Sequence, residues 1–131
     1  MPRIVHIALK VPDLEKATKF YATVFGFKET KTSYDRGHVS RHMTDGNLDL
    51  ALMVYDSEDV EEAKLSGPGP CIHHWGIEVD DRDATAAQIE AGGGKIISRE
   101  EGNAWKFRAP DGTVAEIVKA GRYKKKSEAS A

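Results

Sequence analysis

The chain has one cysteine, no apolar run of membrane-span length and no marked excess of charge of either sign. A lone Cys71 excludes an intramolecular disulfide and fits a reducing compartment, so a cytoplasmic location is expected. Nothing around Cys71 suggests a nucleophile, and it reads as a small buried residue at a strand start. The missing apolar run leaves no role in a membrane. Met1-Pro2-Arg3 leads into an apolar stretch too short and too regularly patterned for a signal peptide. A formal charge of −2 spread over mixed signs leaves no electrostatic footprint for nucleic acid. The basic stretch Arg122-Tyr123-Lys124-Lys125-Lys126 runs into Ser-Glu-Ala-Ser-Ala, so residues 123–131 are expected to be a disordered, solvated tail. What remains, at 131 residues and 40% hydrophobic content, is a globular chain able to bury one core.

The chain does contain an internal duplication. Val5-His6-Ile7-Ala8-Leu9-Lys10-Val11-Pro12-Asp13 aligns with His73-His74-Trp75-Gly76-Ile77-Glu78-Val79-Asp80-Asp81 at an offset of 68 residues. Further on, Asp45-Gly46 before Leu48-Asp49-Leu50-Ala51-Leu52 aligns with Asp111-Gly112 before Val114-Ala115-Glu116-Ile117-Val118 at an offset of 66. Each copy reads as a strand, a helix and three strands. In the first strand, Ile4 to Val11, Val5, Ile7, Leu9 and Val11 share one face while Ile4, His6, Ala8 and Lys10 share the other. Pro12-Asp13 signals the start of a helix that sets Leu14, Ala17, Tyr21 and Val24 near one side and stops at Gly26. The second helix has Asp81 or Asp83 as its cap, Ala84, Ala87 and Ala91 as packing residues, and Gly92-Gly93-Gly94 as its stop. That glycine triplet follows a helix and precedes a strand, the reverse of the order that aims a helix N-terminus at a phosphate. Further strands are expected over about 27–35, 38–44 and 48–55, then about 95–100, 104–109 and 113–119. The organisation is one domain over residues 1–122, with a first module of about 1–56, a linker of about 57–70 carrying Ser57-Glu58-Asp59-Val60-Glu61-Glu62, and a second module of about 71–120.

The chemistry rests on strand parity. Ile72, His74, Gly76 and Glu78 match Ile4, His6, Ala8 and Lys10 one for one, so each histidine shares its face with a small residue two positions later. Such a residue is expected where a strand must admit a close approach. Glu116 lies between Val114 and Val118 on an otherwise apolar face, where an unpaired carboxylate would be costly. Two imidazoles and one carboxylate are what a divalent metal with open coordination positions needs, and His6, His74 and Glu116 are the expected ligands. His73 has the opposite parity and is left out of the site. His38, Arg41, His42, Trp105, Lys106 and Arg108 belong to strands that either line a cup or present a solvated face. Asp45-Gly46 and Asp111-Gly112 are turn signals with no chemistry assigned.

The pattern His-Ile-Ala-Leu-Lys-Val-Pro-Asp-Leu-Glu-Lys-Ala, then Phe-Tyr and Phe-Gly-Phe, with Ala-Pro-Asp-Gly-Thr-Val-Ala-Glu-Ile-Val near the end, resembles the vicinal oxygen chelate superfamily over about residues 3–120. That group includes glyoxalase I, methylmalonyl-CoA epimerase, extradiol dioxygenases and bleomycin-binding proteins. The resemblance implies an α+β fold of two tandem βαβββ modules whose mixed sheet curls into a cup around one divalent metal ion (Fe, Ni, Co, Mn or Zn). It also implies a homodimer. Ligands of the family come from the first and fourth strands of each module, and His6, His74 and Glu116 match three of those four positions. By the Asp-Gly anchor the fourth falls on Leu50, which cannot bind metal, and Asp49 has the wrong parity if Leu48, Leu50, Leu52 and Val54 face the cup.

The expected function is therefore that of a metal-dependent enzyme of the glyoxalase, lyase or isomerase type, acting on a small vicinally oxygenated substrate through a stabilised oxyanion. Glu116 would be a ligand that also moves a proton, with Asp35, His38 and His42 as candidates for the second acid or base. Two alternatives belong to other classes. One is a non-haem Fe(II) extradiol-type dioxygenase, which the two-histidine, one-carboxylate set suits but the absence of tyrosine between Tyr55 and Tyr123 does not. The other is a metal-free drug-binding protein of the bleomycin-binding type, which generally lacks the histidine and glutamate positions.

Overall fold

Asp13 accepts a hydrogen bond from the Lys16 amide and Asp81 one from the Ala84 amide, so both halves start their helix with the same capping device. In the computed structural model, which describes residues 1–123, the first module runs β1 (Arg3–Lys10), α1 (Leu14–Phe25), β2 (Lys28–Asp35), β3 (His38–Thr44) and β4 (Asp49–Tyr55). The second runs β5 (Cys71–Val79), α2 (Arg82–Ala91), β6 (Lys95–Ile96), β7 (Trp105–Arg108) and β8 (Val114–Lys119). The expected tail over residues 124–131 lies outside the described residues. Tyr123, assigned to that tail from composition, is buried in the fold.

The two modules join edge to edge through antiparallel β1 and β5 into one mixed sheet of eight strands, in the order β2-β3-β4-β1-β5-β8-β7-β6. Within each module the first strand runs parallel to the last, β1 beside β4 and β5 beside β8. This α+β sheet is open at β2 and β6, and its central strands come from the duplicated segments that carry His6 and His74.

One face of the sheet is covered by the helices. Beneath α2 lies the main apolar cluster, Val79, Ala86, Trp105, Phe107, Ala115 and Ile117, with Trp75, Ile77 and Ile89 packed against it. The α2 residues turned inward are Ala86 and Ile89, whereas Ala84, Ala87 and Ala91 are exposed. The expected alanine face is therefore corrected, and the physical reason is that Ile89, the one large apolar residue of this helix, gains most from burial and decides the rotation. In α1, Leu14, Ala17 and Tyr21 are half-buried, but Val24 is 58% exposed beside exposed Phe20 and Phe25.

The linker adds only one 3-10 turn, Ala63–Ser66. It is pinned to the sheet by Lys10, whose buried ammonium donates to Glu58 and to the carbonyls of Ala63 and Gly67. Cys71 is half-buried rather than buried, its sulfur 3.3 Å from the Ser66 hydroxyl.

Candidate metal centre

The uncovered face of the central strands carries the chemistry. His6 stands beside Asp49 across the β1/β4 pair and opposite Gly76 across the β1/β5 pair, and Gly76 in turn pairs with Glu116 on β8. Gly76 is thus flanked by two functional side chains that lean over it. A Cβ there would lie 3.0 Å from His6 Cβ and 3.4 Å from Glu116 Cγ. The small residue expected two positions after His74 is required because the site closes over its backbone.

His6, His74 and Glu116 converge, all three buried. His6 Nε2 lies 3.4 Å from His74 Nε2, and His74 Nε2 lies 2.7 Å from Glu116 Oε1. Donors bound to one ion at about 2.1 Å each keep about 3.0–3.4 Å from one another, so this spacing suits a shared metal after small adjustment. The rear nitrogens strengthen the case. His6 Nδ1 donates to Asp49 Oδ2 at 2.6 Å, which in the neutral ring leaves the Nε2 lone pair facing the cluster. His74 Nδ1 is occupied by His73, again leaving Nε2 forward. Burial pushes the His74 pKa down, against the opposing pull of Glu116. For Glu116 burial acts upward, but His74, His6 and Lys106 outweigh it and hold the carboxyl well below its ordinary range. Two imidazole nitrogens and a carboxylate oxygen thus converge on one point in a buried site, where a proton or a cation is needed between His74 Nε2 and Glu116.

Asp49 corrects the expectation from parity. It points into the cup with Ala51 and Met53, while Leu50 faces the helix side. The physical reason is the turn before β4. Thr44 Oγ1 and Asp45 Oδ1 cap the amides of Gly46, Asn47 and Leu48, and this turn delivers the strand one residue earlier than Asp111-Gly112 delivers β8. The true offset between the two carboxylates is 67 residues, not 66. Asp49 accepts from Nδ1 of both His6 and His42, and although burial alone would raise its pKa, these two bonds bring it down to about 2.

Parity excludes His73, yet it is buried against the site. The β1/β5 register passes from Ala8 opposite His74 to Leu9 opposite Ile72, so His73 is the extra residue of a β-bulge, and the strict alternation of strand faces fails there.

Of the six residues left between cup and solvent, His38, His42 and Lys106 line the cup. Arg41 points to the helix side, bonding Glu15 and Thr18, and Trp105 sits in the cluster beneath α2 with Arg82 4.2 Å above its ring. Arg108 donates to the Gly112 carbonyl. Lys106 Nζ bridges Glu62 Oε1 at 3.0 Å and Glu116 Oε1 at 3.6 Å. Asp35 is at the exposed β2/β3 turn, paired with Arg36, away from the cluster.

Two further residues went unnoticed in the sequence. Glu62, read as part of an acidic linker, folds over the cup mouth. Burial opposes its ionisation, but Lys106 and Arg36 bring its pKa down to about 2. Tyr123 stacks on the His6 ring at 5.0 Å between centroids and 10° between planes. No sequence signal marks Tyr123, since the basic residues around it are those of a solvated terminus.

Residues 3–117 match the Glyoxalase/Bleomycin resistance protein/Dioxygenase superfamily. The chain belongs to this superfamily. Among similar proteins are a "Probable lactoylglutathione lyase" of Vibrio parahaemolyticus, 30% identical over 88% of this chain and 89% of that protein, and a "Lactoylglutathione lyase" of Haemophilus influenzae, 31% identical over 76% and 74%. Among solved structures, a methylmalonyl-CoA epimerase in complex with methylmalonyl-CoA and NH4+ is 25% identical, superposing with a TM-score of 0.77 over 93% of this chain and 96% of that one. Within this member of the superfamily, the fourth-strand carboxylates are Asp49 and Glu116, and they play unequal parts: Glu116 faces the two Nε2 atoms, and Asp49 stands behind His6.

Proposed function

We propose that this protein is a metal-dependent lyase or isomerase of the glyoxalase type, acting on a small molecule with two neighbouring oxygens. The named relatives support the coarser part, an enzyme of the lyase or isomerase kind within the superfamily. The observation that carries the finer part is the convergence of His6 Nε2, His74 Nε2 and Glu116 Oε1 with both rear nitrogens already bonded. These three residues are the proposed metal ligands. A divalent ion bound there supplies a Lewis acid for two adjacent substrate oxygens.

The chain's own residues then handle protons. Glu116, kept anionic beside Lys106, takes a proton from the carbon next to the polarised oxygen. His42 is the second acid or base. Its Nδ1 is committed to Asp49, and its Nε2, 3.5 Å from Ser40 Oγ, is the nitrogen left to exchange a proton with substrate. Glu62 and Arg36 flank the cup mouth and set the charge that a substrate meets on entry. The homodimer expected from the family is part of this proposal, supported by the exposed Phe20, Val24 and Phe25 of α1.

Elemental analysis of protein purified without a tag or chelator, beside Glu116→Ala, tests the metal. Exchange of substrate C–H for solvent deuterium tests the reaction, using the glutathione hemithioacetal of methylglyoxal and methylmalonyl-CoA as first substrates. About one ion per chain in wild type, lost in the variant, together with exchange, is expected. Failure of wild type to bind Fe, Ni, Co, Mn or Zn after anaerobic loading would overturn the proposal. A second reading, the Fe(II) extradiol-type dioxygenase, is favoured by one observation: Asp49 stands behind His6 and leaves two histidines and one carboxylate forward. Catechol-dependent oxygen consumption by the iron-loaded protein, without C–H exchange, would select it.

A further inference from the structure

His73 and His74 are adjacent on β5, and a regular strand would turn them to opposite faces. The bulge at His73 instead brings their rings together, with Nδ1 of one 2.7 Å from Nδ1 of the other and centroids 4.9 Å apart in an edge-on arrangement. A contact between two identical atoms needs one proton and one lone pair. Which ring supplies the proton is decided on the far side of His73, where Nε2 lies 2.7 Å from the backbone carbonyl oxygen of Glu62. A carbonyl only accepts, so the His73 proton is on Nε2. Neutral His73 then offers a lone pair at Nδ1, and His74 must donate from its own Nδ1. The proton order runs from His74 Nδ1 to His73 Nδ1, and from His73 Nε2 to Glu62 O.

We propose that His73 is a positioning residue that accepts the Nδ1 proton of His74 and so fixes the ring with Nε2 turned toward His6 and Glu116, where the contact with the Glu116 carboxylate is filled by a proton or by a metal ion. The two histidines of the centre are then oriented by different means. His6 has an anionic partner, Asp49, which is itself shared with His42. His74 has a neutral imidazole anchored to the linker backbone. The device ties the linker to the centre, because the Glu62 carbonyl serves His73 while the Glu62 carboxylate binds Lys106 on the cup wall. Partners that fix the rear nitrogen of a ligating histidine commonly change metal affinity by about 10- to 100-fold. In its metal-binding readout the inference rests on the proposed function. In its tautomer readout it does not.

The test uses full-length protein labelled with 15N-histidine and zinc as the metal. Long-range proton–nitrogen correlation on the metal-free protein, with His74 assigned by its absence from His74→Gln, is expected to show a proton on His74 Nδ1. His73→Phe, which keeps a ring and removes the acceptor, is expected to weaken zinc binding about 10- to 100-fold in chelator competition. His73→Gln, whose amide oxygen accepts and whose NH2 donates, is expected to restore both the tautomer and most of the affinity. His74 without a proton on Nδ1 in wild type would overturn the inference, as would unchanged zinc affinity in folded His73→Phe. If His73→Phe does not fold, the wild-type tautomer and the His73→Gln affinity decide. If wild type binds no zinc or any other metal, the proposed function fails while the tautomer still decides the role of His73.

Discussion

Asp49 Oδ2 lies 2.6 Å from Nδ1 of His6, behind the ring rather than in front of it. This places a buried carboxylate where it orients a histidine whose other nitrogen faces Glu116 and His74, and makes Asp49 a partner of the ligand set rather than a spectator of opposite parity.

Asp49→Ala removes the acceptor for both His6 and His42. Metal affinity is expected to fall about 10- to 100-fold. The buried N–H of His6 left unpaired is expected to lower stability by about 1–3 kcal/mol, and that of half-buried His42 by less. Chelator competition and urea unfolding check the two effects separately.

Leu50→Glu is the substitution that the Asp-Gly alignment of the repeats would recommend for adding a ligand. Because Leu50 faces the helix side, metal affinity is expected to stay at the wild-type level, whereas His6→Ala and His74→Ala each abolish stoichiometric binding. Tighter binding by the Leu50 variant would show that the β4 register is wrong.

Gly76→Ala forces a methyl to within 3.0 Å of His6 Cβ and 3.2 Å of His6 Cδ2. The strain, about 1–3 kcal/mol for overpacking of this kind, falls on His6, a proposed metal ligand. Loss of affinity should therefore exceed what the loss of melting temperature alone suggests. Ala8→Gly, at the repeat-equivalent position, should lower stability and leave affinity nearly unchanged.

Metal-free protein should lose stability as the pH falls, in two stages. Burial depresses the His73 pKa from 6.5 to about 4, so the unfolded chain takes up that proton first, and stability falls between pH 6.5 and about 4. Asp49 and Glu62 are depressed from 3.8 and 4.5 to about 2, so their contributions are complete above those ordinary values and fade toward about pH 2. Each shift corresponds to stability on the order of 3 kcal/mol. Urea midpoints across pH 3–8, with His73→Gln flattening only the upper stage, check the assignment.

The duplication, the two capped helices, the succession of strand, helix and three strands in each half, and the placing of His6, His74 and Glu116 together were all legible in the chain. Each is written in local periodicity or in a single repeat offset. Asp49 carried the same signal as Glu116, a lone carboxylate in an apolar strand. The repeat alignment hides it because the turn before it is one residue shorter, and a one-residue slip flips every side chain to the other face. The strand alternation that placed His6 correctly misplaced His73, because a bulge is defined by the partner strand and leaves no mark on the strand that bears it.

Sequence alone determined which elements form and which residue types they carry, because helix caps, glycine stops and alternation act over a few neighbouring residues. Only the tertiary structure decided that both modules meet through β1 and β5 to complete the centre within one chain, that Glu62 and Tyr123 fold over it, and which nitrogen of each histidine looks inward. Those outcomes depend on partners such as Asp49 for His6, 43 residues away in the chain, and the Glu62 carbonyl for His73, 11 residues away. No local pattern encodes which of two equivalent ring atoms will find its acceptor.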